Sequence, residues 1–146
     1  MPGIFRLSRA ATALSTTADL LTIVAGAANP LELLLVQLTG AANAAAFNEA
    51  LLTKSTGGTT PGGAITPNGD GTPAFSAYTS WSAQPTPGTA GTATERWRFG
   101  LQAFGGVSQF QALPGTLIKV PAGEQVSLRS ISGTSSATLQ VVLIEY

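Results

Sequence analysis

The tract from Ala93 to Tyr146 limits what this chain can become. It holds apolar runs of strand length, Ala93–Phe104, Leu113–Ser130 and Ala137–Tyr146, cut by Pro114-Gly115, by Pro121-Ala122-Gly123 and by the small polar cluster at Ser132–Ser136. Proline presets one backbone angle and glycine admits conformations closed to other residues, so each cluster ends a strand and opens a turn. Short strands divided at regular intervals by turn signals specify an all-β sandwich or barrel. Thr94–Phe104 alternates most clearly. Its spacing directs Trp97, Phe99, Leu101 and Ala103 to the core and Arg96, Arg98 and Gln102 to the outer face. Arg96 and Arg98, with Glu95 beside them, concentrate charge on that face, either solvated or set against a partner's carboxylates.

Further strands are expected upstream and between these runs. Asp19–Ala25 and Leu31–Thr39 read as two strands joined by a turn at Gly26–Pro30, with Leu31–Leu38 apolar on both faces, as in a strand covered on both sides. Gly40–Lys54 is rich in helix formers; a short helix or turn near Ala42–Phe47 is expected, followed by a strand from about Asn48 to Ser55. Val107–Ala112, Thr116–Val120, Gln125–Ile131 and Thr138–Tyr146 complete the sheets. The apolar stretch Leu20–Leu38 is broken by Asn29, Pro30 and Glu32 and is too interrupted to span a membrane. Arg6 and Arg9 precede it, but Asp19 and a run of Ser and Thr replace the apolar stretch of a secretory leader.

Residues 1–18 are expected to form an extended N-terminal arm ahead of a single domain over 19–146. Ile4 and Phe5 on that arm need a partner, which is either the domain's own sheet edge or a neighbouring subunit. Two long Gly/Pro/Thr loops, 56–73 and 82–93, interrupt the domain. Asn68-Gly69-Asp70-Gly71 offers one carboxylate, short of what a calcium loop needs, and reads as a turn. Between the loops Phe75, Tyr78 and Trp81 recur every third residue, as core or as anchors for another subunit.

Composition narrows the function. The 146 residues contain neither histidine nor cysteine, which removes the usual nucleophilic triads, ordinary zinc sites and disulfides. The seven acids, Asp19, Glu32, Glu49, Asp70, Glu95, Glu124 and Glu145, fall in no pairing motif, and no phosphate-cradling Gly-Lys-Ser/Thr is present. An enzyme, a metal and a cofactor are therefore not expected. Zero formal net charge and the lack of a basic run argue against nucleic acid as a partner. Charged residues make up 10 % of the chain, against roughly 25 % in average soluble domains. That scarcity suits a subunit whose surface is largely covered by neighbours, where charge would be costly to bury.

The order of features carries a resemblance. An N-terminal arm and strands lead to the Thr56–Pro61 loop with Ile65-Thr66-Pro67, then a Trp-containing middle, then Pro121–Leu128 and an apolar last run ending Glu145-Tyr146. Together they resemble the small jelly-roll cement, or decoration, proteins of tailed-phage capsids. The resemblance implies an antiparallel jelly-roll sandwich that forms a homotrimer on the outside of the virion. It would bind where major-capsid subunits meet, stabilise the shell, and assemble in the host cytoplasm. On that reading Ile4, Phe5, Arg6, Leu7 and Arg9 are the candidate capsid or subunit contacts. Tyr78 and Trp81 are candidate interface aromatics, and Arg96 and Arg98 are outer-face charges. A trimeric receptor- or carbohydrate-binding head, or a tail or neck component, would use the same sandwich.

Overall fold

Alternation begins with the first strand. In β1 (Gly3–Ala13) Phe5 and Leu7 are buried while Ile4, Arg6 and Ser8 are exposed. The computed structural model describes residues 3–17, 19–43, 45–56, 68–69, 78–80, 94–113 and 117–146. The other strands are β2 (Asp19–Val24), β3 (Leu31–Ala41), β4 (Phe47–Thr56), β5 (Asn68–Gly69), β6 (Tyr78–Ser80), β7 (Thr94–Gln102), β8 (Phe104–Gln111), β9 (Ile118–Val120), β10 (Glu124–Ser132) and β11 (Ser136–Glu145). There is no helix among the described residues.

The strands form two antiparallel sheets. The first runs β5-β1-β11-β3-β8, with β9 also on β3; the second runs β6-β2-β10-β4-β7. The sheets pack as a β-sandwich around one apolar cluster. Leu33, Leu139 and Leu143 from the first sheet and Ile23, Phe99 and Leu128 from the second are fully buried, each stabilising by about 1.5–3 kcal/mol relative to exposure. β10 and β11 are central strands, and β11 has β1 on one edge and β3 on the other.

Several expectations need correction. Of the segment expected as an arm, Gly3–Ala13 is a strand of the domain's own sheet, one of the two partners the sequence offered. Gly3–Arg9 pair in continuous register with Leu139–Glu145, because the alternation places Phe5 and Leu7 against the core. The turn at Gly26–Pro30 does not close a pair of neighbouring strands, since β2 and β3 lie in different sheets. Of the helix or turn expected near Ala42–Phe47, the described residues form no helix: Ala42 N donates to Ala103 O (3.0 Å) and Phe47 already opens β4. Phe99, Leu101 and Ala103 are buried as their spacing requires, but Trp97 is 42 % exposed. The register of β4 on β7 slips between Leu52 and Thr53, at the level of Trp97, and leaves its ring at the rim, edge-on to Phe110 at 5.3 Å. Finally, Leu34 and Leu35 are only half-buried, so the outer face of β3 is not covered like its inner face.

Candidate functional site

The connections β1–β2, β3–β4, β7–β8 and β10–β11 meet at one end of the sandwich, tied there by hydrogen bonds. Leu14 N donates to Ser135 O (3.2 Å), and Ala103 N to Ala46 O (2.7 Å). The Gln102 side chain accepts from Ala46 N and Ala103 N, both at 3.1 Å. Ser130 Oγ lies within donating reach of the carbonyls of Glu49, Ser132 and Gly133 at 2.9–3.1 Å, and Ser132 Oγ accepts from Glu49 N. Asn48, buried, accepts from Ser135 N through Oδ1. Gly133 sits against that oxygen with φ +75°, a conformation and a closeness only glycine allows.

This end presents apolar side chains to solvent. Phe47 is 65 % and Phe104 66 % exposed, and Ile131 is also exposed. Each phenylalanine is one residue from the Ala103–Ala46 hydrogen bond. The Phe47 ring lies over Gly100, close enough that a β-carbon there would meet its Cζ at 3.1 Å. Beyond Gly100, Arg98 Nη1 is 3.7 Å from Glu49 Oε1 in an exposed pair that adds about 0–1 kcal/mol. Large apolar side chains on a backbone already fixed lose little entropy on docking, which is what interface anchors require.

The residues expected to form a site are scattered. Ile4 and Arg6 lie on the outer face of the first sheet, and Phe5 and Leu7 lie in the core. Arg9 reaches across to the second sheet, its Nη1 donating to Leu20 O at 2.7 Å, and its burial lowers the guanidinium pKa from the ordinary value. Arg96 and Arg98 are exposed on β7. Tyr78 contributes its backbone to β6 opposite Val24; its side chain and Trp81 lie outside the described residues, as do most of loops 56–73 and 82–93. Phe47 and Phe104 had no distinct sequence signal except the glycines beside them in the fold, Gly100 and Gly105-Gly106, which interrupt otherwise bulky strands.

Two polar arrangements remain. At the opposite end, an apolar recess of about 400 Å³ is lined by Pro30, Leu31, Glu32, Lys119, Pro121 and Tyr146. Tyr146 Oη donates to Glu32 Oε2 (2.8 Å), and Lys119 Nζ is 3.5 Å from Glu32 Oε1. That hydrogen bond holds the phenol pKa above its usual value. On β2, Asp19 is 3 % exposed; Oδ2 accepts from Thr22, while Oδ1 has no hydrogen-bond partner among the described residues and faces Arg129 Nε at 3.8 Å. Among the described residues no group of three or more possible ligands could hold a metal ion.

Burial raises the Asp19 pKa above 3.8, opposed by Arg129 and by hydrogen bonds from Ser127 and Thr22. Folding therefore favours the neutral acid, and the stability this contributes is full below 3.8 and is lost as pH rises through the raised value. Urea unfolding of the wild type and Asp19→Asn across that interval should show the wild type losing stability relative to the variant as pH rises. Parallel pH profiles would contradict it.

A scan of protein-family models, a search of curated proteins and a search of solved structures each find no match to this chain.

Proposed function

We propose that this chain is a capsid decoration protein: a jelly-roll subunit seated on the outside of an icosahedral phage head, where major-capsid subunits meet, bracing the shell. The observation that carries this reading is the pair of exposed phenylalanines, Phe47 and Phe104, on an end locked by backbone and side-chain hydrogen bonds. A rigid apolar anchor of this kind suits docking between fixed neighbours. It replaces the N-terminal residues as the element that grips the shell.

The strand order supports the jelly-roll assignment. The eight longer strands among the described residues are arranged as β1-β11-β3-β8 in one sheet and β2-β10-β4-β7 in the other, an order consistent with a double-sheet jelly roll, an architecture found in viral capsid and lectin domains. Fold alone does not assign function. The scarcity of charge and the anchor point toward packing against other proteins.

The test is occupancy on particles. Heads of the phage that encodes the chain, incubated with wild-type protein, should carry many copies each; a handful of copies would fit a tail or neck component instead. Phe47→Ser with Phe104→Ser should lower affinity for heads by at least roughly 30-fold, as expected for loss of an interface hot spot. Both side chains are exposed, so the fold should persist, as judged by circular dichroism. Undiminished occupancy by the folded double variant would refute docking through this end.

A further inference from the structure

The outer face of the first sheet has a different character from every other surface described. Register sets Ser8, Gln140, Gln37 and Gln109 side by side across β1, β11, β3 and β8. The neighbouring row holds Thr138, Thr39 and Val107, and the row on the other side runs Arg6, Val142, Leu35, Gln111. Charge is confined to the rim, with Arg6 on β1 and Glu32 already paired with Lys119 at 3.5 Å. The corresponding face of the second sheet, by contrast, carries Arg98, Glu49 and Arg129.

We infer that this face packs against the same face of a second copy of the chain, related by a two-fold axis. In such a contact residue i meets residue j and j meets i, and residues near the axis meet their own copies, so a charge in its middle would meet its own sign. The glutamine row and the Thr138–Thr39–Val107 row hold none, and in the third row the charge is Arg6 on β1. A carboxamide carries two donors and an acceptor, so a row of glutamines complements itself in either direction, as a row of lysines or glutamates cannot. The amides are only weakly engaged within the subunit: Gln37 Nε2 reaches Thr39 Oγ1 at 3.4 Å and Gln109 Nε2 reaches Gln111 Oε1 at 3.5 Å. Among the described residues most of their hydrogen-bonding capacity is unused and available to a partner. Val142, Leu35 and Ile144, half-buried on this face, and the exposed Ile4 add apolar area beside the amides.

The size is sufficient. Four strands at about 4.8 Å spacing and about ten residues long present roughly 650 Å² per copy, close to the roughly 1,200–2,000 Å² in total that specific interfaces bury. The inference does not depend on the shell-docking reading, which uses the end bearing Phe47 and Phe104 and leaves this face open. It gives a dimer where the resemblance implied a trimer.

Sedimentation equilibrium of the full chain at about 10 µM should give a dimer whose dissociation constant changes little between low and high salt, because ion pairs do not hold it. Gln37→Lys with Gln140→Lys places like charges opposite each other and should weaken the dimer by roughly 100-fold or more. Far-ultraviolet circular dichroism and Tm should stay at wild-type values, and Arg96→Glu on the other sheet should leave the dimer intact. A monomeric or trimeric wild type would overturn the inference. So would a dimer that survives the double lysine substitution, or one that high salt dissociates.

Discussion

A chain lacking residues 2–9 is expected to be unfolded, and not a folded knob that has lost its grip. The deletion removes seven of the nine register pairs of β1 with β11, and both of its pairs with β5. It exposes one edge of β11, a central strand, and takes Phe5 and Leu7 from the core. Those two side chains alone contribute about 1.5–3 kcal/mol each, and the lost ladder adds to this, against a total stability of about 5–15 kcal/mol for a domain. Soluble yield, circular dichroism and a thermal melt measure the outcome. A cooperative melt within a few degrees of the full chain would show the segment to be a dispensable arm after all.

Gly40→Ala is expected to destabilise the protein by about 1–3 kcal/mol or more, opposite to the modest gain that alanine usually gives over glycine in a regular element. At Gly40 the end of β3 passes directly over the β7–β8 corner, and a β-carbon there would stand 2.4 Å from the carbonyl oxygens of both Gln102 and Ala103. Both obstacles are backbone atoms, so no side chain can move aside. The same corner carries the Ala103–Ala46 hydrogen bond that fixes Phe47 and Phe104. Loss of stability and loss of docking should therefore appear together. Gly123→Ala is the comparison: open space surrounds it, but its φ is +76°, so only backbone strain of about 1–2 kcal/mol is expected. At about 2–4 °C per kcal/mol, a melting experiment separates the two cases from wild type. An unchanged or raised Tm for Gly40→Ala would contradict the close crossing.

Much of the sheet content was legible because alternation and turn chemistry are local. Phe99, Leu101 and Ala103 followed their spacing into the core, and Pro121-Ala122-Gly123 ended β9 where its glycine takes a positive φ. Partner choice was not legible. Nothing in Asp19–Ala25 or Leu31–Thr39 says that consecutive strands enter opposite sheets, since periodicity reports a face and not a neighbour. Phe5 and Leu7 alternate with Arg6 and Ser8 as cleanly as any strand here, but their place at the chain terminus and the flanking Pro2 and Gly3 favoured an arm. Phe47 and Phe104 were hidden for a different reason. An aromatic in an apolar segment defaults to the core, and only the three-dimensional corner made by Gly40, Gly100 and Gly105 turns them outward. The glutamine row was equally invisible, because Ser8, Gln37, Gln109 and Gln140 become neighbours only through register.

The strand order also sets a timetable for synthesis. β10 and β11 are the last of these strands to leave the ribosome, yet each is the middle strand of its sheet. Until they emerge, β1 and β3 have no common neighbour, and β2 and β4 have none either. A nascent chain must therefore carry open strand edges and uncovered leucines through most of translation, when such segments are prone to pair with the wrong chain. Its contacts are predominantly distant in sequence, which slows the final closure. Yield of native protein should then depend on how quickly β10 and β11 dock once they have emerged. Slower synthesis at low temperature would give little help, because β3–β8 and β4–β7 can pair early but neither sheet is continuous without its middle strand.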